Sequence, residues 1–384
     1  PQMAALKGWN PDVLLSISTP GGIIALLACG LWGGFIQKFG LKRTTVVTML
    51  LASLSCVAYG NSVSVAMYAV SLVCMVTFIS AFALNCGFAI CANWFPTKKG
   101  VVMGITTIGM NLASATISLI LNALSNAFNI AVAMSIMGGI IFCVMLIVIV
   151  FVKDTPEKAG AFPDNDPAIA EMIRREELNS AADASNRMTY GKAFRNPRVW
   201  LYGLGYGFFG LATVGIMSQL VGFLTTDKGY DLNQALLTIT VAAVIGCIGS
   251  WLWGEFDQKF GTRIASIAFG LWYMIGIIFL VIPGTGPSMY MGIFMLGFAI
   301  GGNGNFLPSM AGLVFGRQDF AVSYSAMNMI TGVVRSCSFA MLAILRAFTA
   351  GYTVPYLLFG ATTVIAAIIF FVCKPTIAYK GEEK

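Results

Sequence analysis

The sequence predicts an all-α integral membrane protein, and three observations lead to that fold class. Ala, Val, Ile, Leu, Met, Phe, Trp, Tyr and Cys make up 58% of the 384 residues. Asp, Glu, Lys and Arg make up only 10%, whereas a soluble domain carries about 25% charged residues. The apolar residues also gather into long uninterrupted runs. Together these observations exclude disordered, collagen-like and nucleic-acid-binding proteins.

The apolar runs predict eleven membrane spans. A spanning helix needs roughly 20 mostly apolar residues, and lipid requires a helix because every backbone polar group must be satisfied internally. The second run is short, so we expect its helix to extend into its flanks. In chain order the runs are 13–36, 44–60, 65–91, 100–124, 130–152, 199–223, 233–256, 264–283, 288–313, 321–347 and 353–373.

The basic residues predict the orientation of the spans. Cytoplasmic loops carry an excess of Lys and Arg. Only Lys7 and Lys228 fall on one side, so the other side, with the connection 153–198 and the C-terminal tail, is predicted to be cytoplasmic. Most of the net charge of +7 then comes from the basic residues of the cytoplasmic loops, which reflect orientation rather than a binding patch. The short loops of the cytoplasmic side hold Lys38, Lys42, Arg43, Lys98, Lys99, Lys259, Arg263 and Arg317.

The connection 153–198 divides the chain into two groups of spans. It contains eight basic and eight acidic residues and four prolines, and it predicts a solvated cytoplasmic linker with a short helix around Ala168–Asn179. The predicted domains are therefore an N-terminal bundle of five spans at 1–152, this linker, and a C-terminal bundle of six spans with a cytoplasmic tail at 199–384.

Several kinds of chemistry have no candidate residues in the sequence. Histidine is absent, which removes the usual general base and the commonest metal ligand. The nine cysteines lie in apolar runs without a CxxC pair and are interpreted as small hydrophobes. The glycines of 205–210 also lie in an apolar run, where they predict close helix packing. We therefore expect no enzyme, no cofactor and no metal site.

A ten-residue segment occurs twice. Residues 31–40 (LWGGFIQKFG) recur as 252–261 (LWGEFDQKFG), with eight of ten positions identical. A basic residue follows two positions later in both copies, as Lys42 and Arg263. Parallel repeats of this kind build transporters with two halves. The same offset also places a partner for the run 199–223 before Pro1, so we expect a twelfth span there.

The repeated turn resembles the signature loop of the major facilitator superfamily. The resemblance implies a transporter of two bundles in which both turns take part in gating. Where the superfamily usually has an acidic residue this chain has Gln37 and Gln258, and Asp257 or Glu255 could substitute in the second copy. The gating residues implied are Gly33, Gln37, Lys38, Gly40, Lys42 and Arg43, and then Gly254, Asp257, Gln258, Lys259, Gly261 and Arg263.

Two further stretches narrow the resemblance to the oxalate/formate antiporter family, with monocarboxylate porters as close neighbours. Residues 92–100 (ANWFPTKKG) resemble the loop after that family's fourth span. Residues 306–309 (FLPS), with Phe315-Gly316 and 324–328 (YSAMN), resemble its tenth and eleventh spans. The family resemblance implies a carboxylate substrate. It would also place a second arginine of the family near Ser250, and the absence of that arginine favours a substrate with one anionic group.

Arg335 is the predicted substrate-binding residue. It is the one charged residue near the middle of a run, where a charge costs about 2.5–3.5 kcal/mol on insertion scales. A guanidinium can hold a carboxylate through two hydrogen bonds. A structural arginine, satisfied by backbone carbonyls or by an acid in the span expected before Pro1, is the alternative. At 100° per residue, the polar residues that share its helix face are Tyr324, Asn328, Thr331 and Ser338.

Asn303, Asn305 and Asn111 are further predicted substrate-binding residues, because they lie at similar depth in apolar runs. Hydrogen bonding between helices is the alternative for each. All sixteen Asp and Glu lie in loops or at helix ends, so proton coupling through a carboxylate in mid-membrane has no candidate outside the span expected before Pro1.

These observations predict a monomeric secondary transporter of a small organic anion, placed in the lipid bilayer of a bacterial inner membrane and working without nucleic acid or cofactor. It would exchange one anion for another, or carry the anion together with a proton. Two alternatives stay open. One is a transporter-like sensor or assembly protein, and the other is a porter of neutral or cationic compounds.

Overall fold

The computed structural model describes residues 2–9, 11–181, 187–349 and 351–375, and within them it contains helices and no β-strand. The predicted all-α class is confirmed. Two predicted segments lie partly outside the described residues, namely the linker at 182–186 and the C-terminal tail at 376–384.

The described residues of the first part of the chain form eight helices. A π-helical turn, Ala81–Cys86, joins α5 to α6 without a loop. The short second run extends at its N-terminal end, as expected, and becomes α4. The helices are α1 (Gln2–Lys7), α2 (Pro11–Cys29), α3 (Trp32–Phe39), α4 (Leu41–Gly60), α5 (Val65–Ser80), α6 (Gly87–Trp94), α7 (Lys99–Ala127) and α8 (Ile130–Phe151).

The connection after α8 is more ordered than the solvated linker that the sequence predicts. It contains two short 3-10 turns, and its Asp164 and Ile173 are buried. The predicted short helix is present and slightly longer. The helices of this connection are α9 (Pro167–Ala181) and α10 (Tyr190–Arg195).

In the last part of the chain the described residues form seven helices. The assigned helix α16 consists of two helices joined at Gly316, whose φ of 64° lies in the left-handed region that glycine adopts readily. The helices are α11 (Pro197–Met217), α12 (Leu220–Thr226), α13 (Leu232–Phe260), α14 (Thr262–Val281), α15 (Pro287–Gly302), α16 (Phe306–Phe348) and α17 (Thr353–Val372).

Polar side chains fix where several of the long helices begin. Ser64 and Asn129 each accept a backbone N–H three residues further on, at the starts of α5 and α8. Asp231 and Gln234 form a reciprocal capping box at the start of α13. Such caps satisfy the orphan N–H groups of a helix terminus, and they mark the ends of the apolar runs.

The eleven predicted runs are helical over most of their length, and most of them qualify as membrane spans. Among the described residues, eight helical stretches are long and apolar enough to cross a membrane. They hold nine of the predicted runs, because the stretch Pro287–Phe348 contains two. Of the other two runs, 100–124 lies in α7, and 13–36 overlaps a shorter apolar helix, Ile23–Phe39.

The chain divides into two compact units that do not follow its order. Unit 1 contains Pro1–Trp94, Thr116–Tyr190 and Arg317–Ser325, and unit 2 contains Phe95–Ala115, Gly191–Gly316 and Ala326–Lys384. Each unit therefore includes a short segment from the other half of the sequence. The predicted division into bundles at 1–152 and 199–384 stays a prediction.

Small residues let helices pack closely within each unit. In unit 1 the Ser53 hydroxyl donates to the Gly138 carbonyl at 2.8 Å, joining α4 to α8. In unit 2 a Cβ on Gly301 would lie 2.0 Å from the Gly246 carbonyl oxygen, where α15 crosses α13. Without a hydrophobic force between helices in lipid, such close backbone packing is a main source of helix association.

The glycines of 205–210 also let helices pack closely. In α11, a Cβ on Gly205 would lie 2.7 Å from the Phe370 ring, and one on Gly207 would lie 2.8 Å from Val334. The segment is one continuous helix, so its glycines serve close packing against α16 and α17.

Candidate functional site

The first copy of the repeated turn packs against the second helix of α16 inside unit 1. A Cβ on Gly33 would lie 2.2 Å from the Ala321 carbonyl oxygen and 2.7 Å from the Ser325 hydroxyl. Gly34 donates its N–H to the Tyr190 hydroxyl at 2.9 Å. Burial raises the pKa of Tyr190, although the backbone of Gly34 partly offsets that effect.

The second copy makes the equivalent contact inside unit 2. A Cβ on Gly254 would lie 2.7 Å from the Gly100 carbonyl oxygen and 3.0 Å from the Gly104 Cα, both in α7. Gly254 follows Gly33 by the offset of the sequence repeat, and Ala321 and Ser325 follow Gly100 and Gly104 by the same offset. The repeat in the sequence is therefore matched by equivalent contacts in the structure. In each copy, the turn packs against a helix from the other half of the chain.

The basic residues after the two turns also make equivalent contacts. Lys42 Nζ donates to the Ile149 carbonyl at 2.6 Å, and Arg263 Nε donates to the Phe370 carbonyl at 2.9 Å. These carbonyls, which the offset of the repeat again relates, lie in the last turns of α8 and α17. A cation there satisfies an orphan carbonyl and meets the negative end of the helix dipole.

Glycine is required in the backbone of both turns. Gly40 and Gly261, which separate α3 from α4 and α13 from α14, have φ values of 87° and 82°, which side chains other than glycine rarely adopt. The remaining basic residues of the turns are exposed. Lys38 and Lys259 lie over the rings of Phe39 and Phe260, and Arg43 is exposed as well.

The two glutamines make backbone hydrogen bonds, but not equivalent ones. Gln258 accepts the Gly100 N–H at 3.2 Å and donates to the Thr97 carbonyl at 2.8 Å. Gln37 donates to the Met188 carbonyl at 3.2 Å. A neutral amide can act as both donor and acceptor, so Gln258 holds the start of α7 without a charge.

Asp257 is the buried acid of the second turn. It lies near the end of α13 and is 3% exposed. The hydroxyls of Thr262 and Ser309 hydrogen-bond to its carboxylate, and the charge of Lys99 acts on it. The sequence placed this acid at a helix end, and the structure adds that it is enclosed by protein.

Two acids after α8 fix the beginning of the linker within unit 1. Asp154 accepts the Lys42 backbone N–H at 2.6 Å and the Lys158 ammonium at 2.7 Å. Burial alone would raise the pKa of Asp154, but these two partners outweigh it and hold that pKa below its usual range. The Glu157 carboxylate receives two N–H groups of Arg317, at 2.9 and 3.1 Å, and they lower its pKa against the effect of burial.

The structure places Arg335 in the part of α16 that belongs to unit 2. The aliphatic stem of Arg335 packs on Gly210 of α11, and the residue is exposed. Within the described ranges no carboxylate lies within ion-pair distance of its guanidinium. These residues do not test the alternative of an acid in the span expected before Pro1.

The polar face predicted around Arg335 is mostly packed. Asn328 is half-buried. Thr331 is buried and donates to the Gly203 carbonyl at 2.9 Å. Ser338 is fully buried, and its hydroxyl has no hydrogen-bond partner among the described residues. Tyr324 belongs to unit 1, where it stacks against Phe320. Helical periodicity groups these residues on one face but does not reveal what packs on it, so their role in substrate binding stays a prediction.

The three predicted asparagines differ in their burial and in their hydrogen bonds. Asn305 is fully buried, donates to the Ser250 carbonyl at 2.7 Å and accepts from the Thr107 hydroxyl. Asn111 donates to the Ser250 hydroxyl at 2.8 Å. These contacts favour hydrogen bonding between helices for both residues. Asn303, at the break between α15 and α16, is half-buried.

Ser250, Tyr190 and the Arg317–Glu157 pair were not predicted as site residues from the sequence. Ser250 joins three helices, since its own hydroxyl also donates to the Gly301 carbonyl at 2.9 Å. Its one signal was a polar residue in the middle of an apolar run. Tyr190 and the ion pair carry no local signal, because their partners are distant in the sequence.

Comparisons with known proteins agree with this architecture. The family model described as Major Facilitator Superfamily matches residues 1–339. Riboflavin transporter MCH5 of Saccharomyces cerevisiae (strain ATCC 204508 / S288c) is 22% identical over 386 residues, covering 94% of this chain and 71% of that protein. Oxalate:formate antiporter of Oxalobacter formigenes is 24% identical over 327 residues, covering 83% and 68%.

A solved structure has the same fold. The crystal structure of FucP, a Major Facilitator Superfamily transporter in the outward conformation, superposes with a TM-score of 0.73 at 12% identity. The superposition covers 96% of this chain and 91% of that one.

Proposed function

The chain belongs to the major facilitator superfamily, and from that membership we propose that it moves a small organic anion across a bacterial inner membrane by alternating access. As a member of this superfamily it is a multi-pass membrane transporter. The substrate class, the membrane and the monomeric state are proposals, as is a cytoplasmic C-terminus, which rests on the excess of basic residues in the loops of that side.

The observation that carries the proposal is the unpaired Arg335 guanidinium within a membrane-spanning stretch. A cation kept at such depth is expensive, and cations of this kind mark substrate pathways. Because no carboxylate among the described residues pairs with Arg335, an anionic substrate is a fitting partner. Its rigid fork of N–H donors suits a carboxylate in particular.

Two observations bear on the proposed substrate, and the first favours a molecule with one anionic group at this site. Ser250 lies where the resemblance would place a second arginine, and its hydroxyl is engaged by Asn111 and Gly301. The relative from Oxalobacter formigenes is named for two carboxylates, oxalate and formate. Its likeness supports a small carboxylate without choosing one.

The repeated turns fit a role in gating on the cytoplasmic side. Alternating access requires that contacts on one side form while those on the other side break. The close contacts of Gly33 with Ala321 and of Gly254 with Gly100 each join a turn to a helix from the other half of the sequence. We propose that these two contacts separate when the cytoplasmic side opens.

Counterflow in proteoliposomes tests the substrate class. Vesicles that contain the full-length protein are loaded with oxalate, formate, lactate or pyruvate, and entry of the labelled anion is measured for the wild type, Arg335→Gln and the matched control Arg346→Gln. Arg346 lies in the same helix and stacks on Tyr352 at 4.1 Å. We expect Arg335→Gln to abolish exchange of the preferred anion, with Arg346→Gln retaining most of it.

Wild-type flux in Arg335→Gln would refute the assignment of the site. Counterflow also separates the alternatives. A sensor would gain thermal stability from the anion but show no exchange. A porter of neutral compounds, an alternative that the riboflavin transporter among the relatives favours, would exchange riboflavin and tolerate the loss of Arg335.

A further inference from the structure

A cavity of about 930 Å³ lies in unit 1, between the connection after α8 and the beginning of the second helix of α16. Its wall includes Arg174 of α9, Arg187 before α10, and Arg317 directly after the bend at Gly316. Glu157 and Glu171 also line it. We call it the linker cavity. It is distinct from the region of Arg335, which belongs to unit 2.

The acids of the linker cavity are already engaged. Glu157 forms its bidentate pair with Arg317, whose side chain is only 8% exposed. Glu171 pairs with Arg175, which lies one turn further along α9. Both carboxylates that line the cavity are therefore matched by a guanidinium.

Among the residues that the structure describes, no acid pairs with Arg174 or Arg187. Both are exposed, and neither forms an ion pair with a residue that the structure describes. They come from separate segments and line the same cavity. Like charges brought together in this way favour a bound anion.

We propose that the linker cavity binds a phosphate-bearing anion through Arg174 and Arg187, with Arg317 in its wall. A phosphate group offers three acceptor oxygens and up to two negative charges, which two guanidinium forks can share. A carboxylate has one charge and two oxygens, and it matches a single fork. The volume of the cavity is also that of a small-molecule site.

A bound phosphate would join segments that are distant in sequence. It would connect α9 and the segment before α10 to the residues just after Gly316. Bound protein is therefore more stable than free protein, because a ligand that binds the folded state alone shifts the unfolding equilibrium. This site is independent of the proposed transport function, since it uses neither Arg335 nor the repeated turns.

The test uses the purified full-length protein at constant ionic strength. Pyrophosphate is the soluble probe, and nanodiscs of phosphatidylcholine with or without phosphatidylglycerol provide the lipid headgroup. The test variant is Arg174→Gln with Arg187→Gln. The matched control is Arg195→Gln with Arg198→Gln, which removes two exposed charges outside the cavity wall. Thermal unfolding and calorimetric titration are the measurements.

We expect Arg174→Gln with Arg187→Gln to bind the probe at least tenfold more weakly, with the control variant close to wild type. If pyrophosphate gives that pattern, the ligand is a soluble phosphate compound, and if only phosphatidylglycerol gives it, the ligand is a lipid headgroup. Equal binding by the test variant and the control, or no binding of either probe to the wild type, would overturn the proposal. The result of this test does not depend on whether Arg335→Gln transports the anion.

Discussion

Gly33 and Ala321 approach so closely that a methyl group on Gly33 would lie 2.2 Å from the Ala321 carbonyl oxygen. A backbone atom cannot move aside as a flexible side chain can. We therefore expect Gly33→Ala to prevent this contact, to lower the free energy of unfolding by about 1–3 kcal/mol, and to reduce transport at least fivefold.

The matched control is Gly139→Ala, in α8 of the same unit, where an added Cβ meets nothing within 4 Å. Alanine there should be neutral or should stabilise the protein by up to about 1 kcal/mol, because it is the better helix former. Thermal unfolding and uptake are measured for both variants. Equal behaviour of the two would show that the contact of Gly33 has no importance.

The Asn305 amide provides a second test, because its contacts join the break before α16 to α7 and α13. Asn305→Ala removes one hydrogen bond of the Ser250 carbonyl and one of the Thr107 hydroxyl, which keeps the Met103 and Gly104 carbonyls as acceptors. Each lost hydrogen bond costs about 0.5–1.5 kcal/mol. We expect a lower midpoint of thermal unfolding, with Asn303→Ala, at a half-buried position two residues earlier, close to wild type.

The same variant distinguishes the two interpretations of Asn305. A residue that binds substrate would change the apparent affinity and leave the stability of the free protein unchanged. Titration of the purified variant with its transported anion, beside the melting curve, therefore decides between ligand binding and hydrogen bonding between helices.

The helices were predictable from sequence because their signal is local. An apolar run of roughly 20 residues predicts a spanning helix wherever it occurs, and the break at Asn303–Asn305 follows glycines that are visible in the sequence. The repeat also predicted which positions would be equivalent, and the contacts of Lys42 and Arg263 follow it.

The partners of the polar residues were less predictable, because they depend on packing between distant segments. A helical face predicted that Tyr324 and Arg335 would share one environment, yet Tyr324 stacks on Phe320 in unit 1 while Arg335 packs on Gly210 in unit 2. Glu157 likewise lies in a polar linker that gives no sign of its pairing with Arg317. Composition indicates that such residues exist, but only the fold selects their partners.

Asp154 predicts a dependence of stability on pH. Its folded-state pKa lies below its usual value, so its contribution is complete above the unfolded pKa of about 3.9 and is lost as the pH falls through the folded pKa. We expect Asp154→Ala to lose about 1–2 kcal/mol at pH 7, and this difference from wild type to shrink below pH 4.

Thermal unfolding between pH 7 and pH 3.5 measures this difference. Glu171→Ala is the control, since it removes an acid whose pair with Arg175 is exposed, and exposed pairs contribute about 0–1 kcal/mol. A difference for Asp154→Ala that stays constant over the whole range would contradict the role given to its ionised form.

Arg335→Lys asks whether the proposed site needs a guanidinium or only a positive charge. Lysine keeps the charge but replaces a planar fork by a compact ammonium that cannot hold a carboxylate through two parallel hydrogen bonds. Its stem still has room on Gly210, so folding should be unaffected. We expect the KM for the transported carboxylate to rise about tenfold or more, because each lost charged hydrogen bond costs about 1.5–3 kcal/mol.

Initial rates of counterflow over a range of anion concentrations give this value, with Arg346→Lys as the control. If the charge alone matters, Arg335→Lys will match wild type while Arg335→Gln fails, and the site would then attract anions without recognising the carboxylate shape.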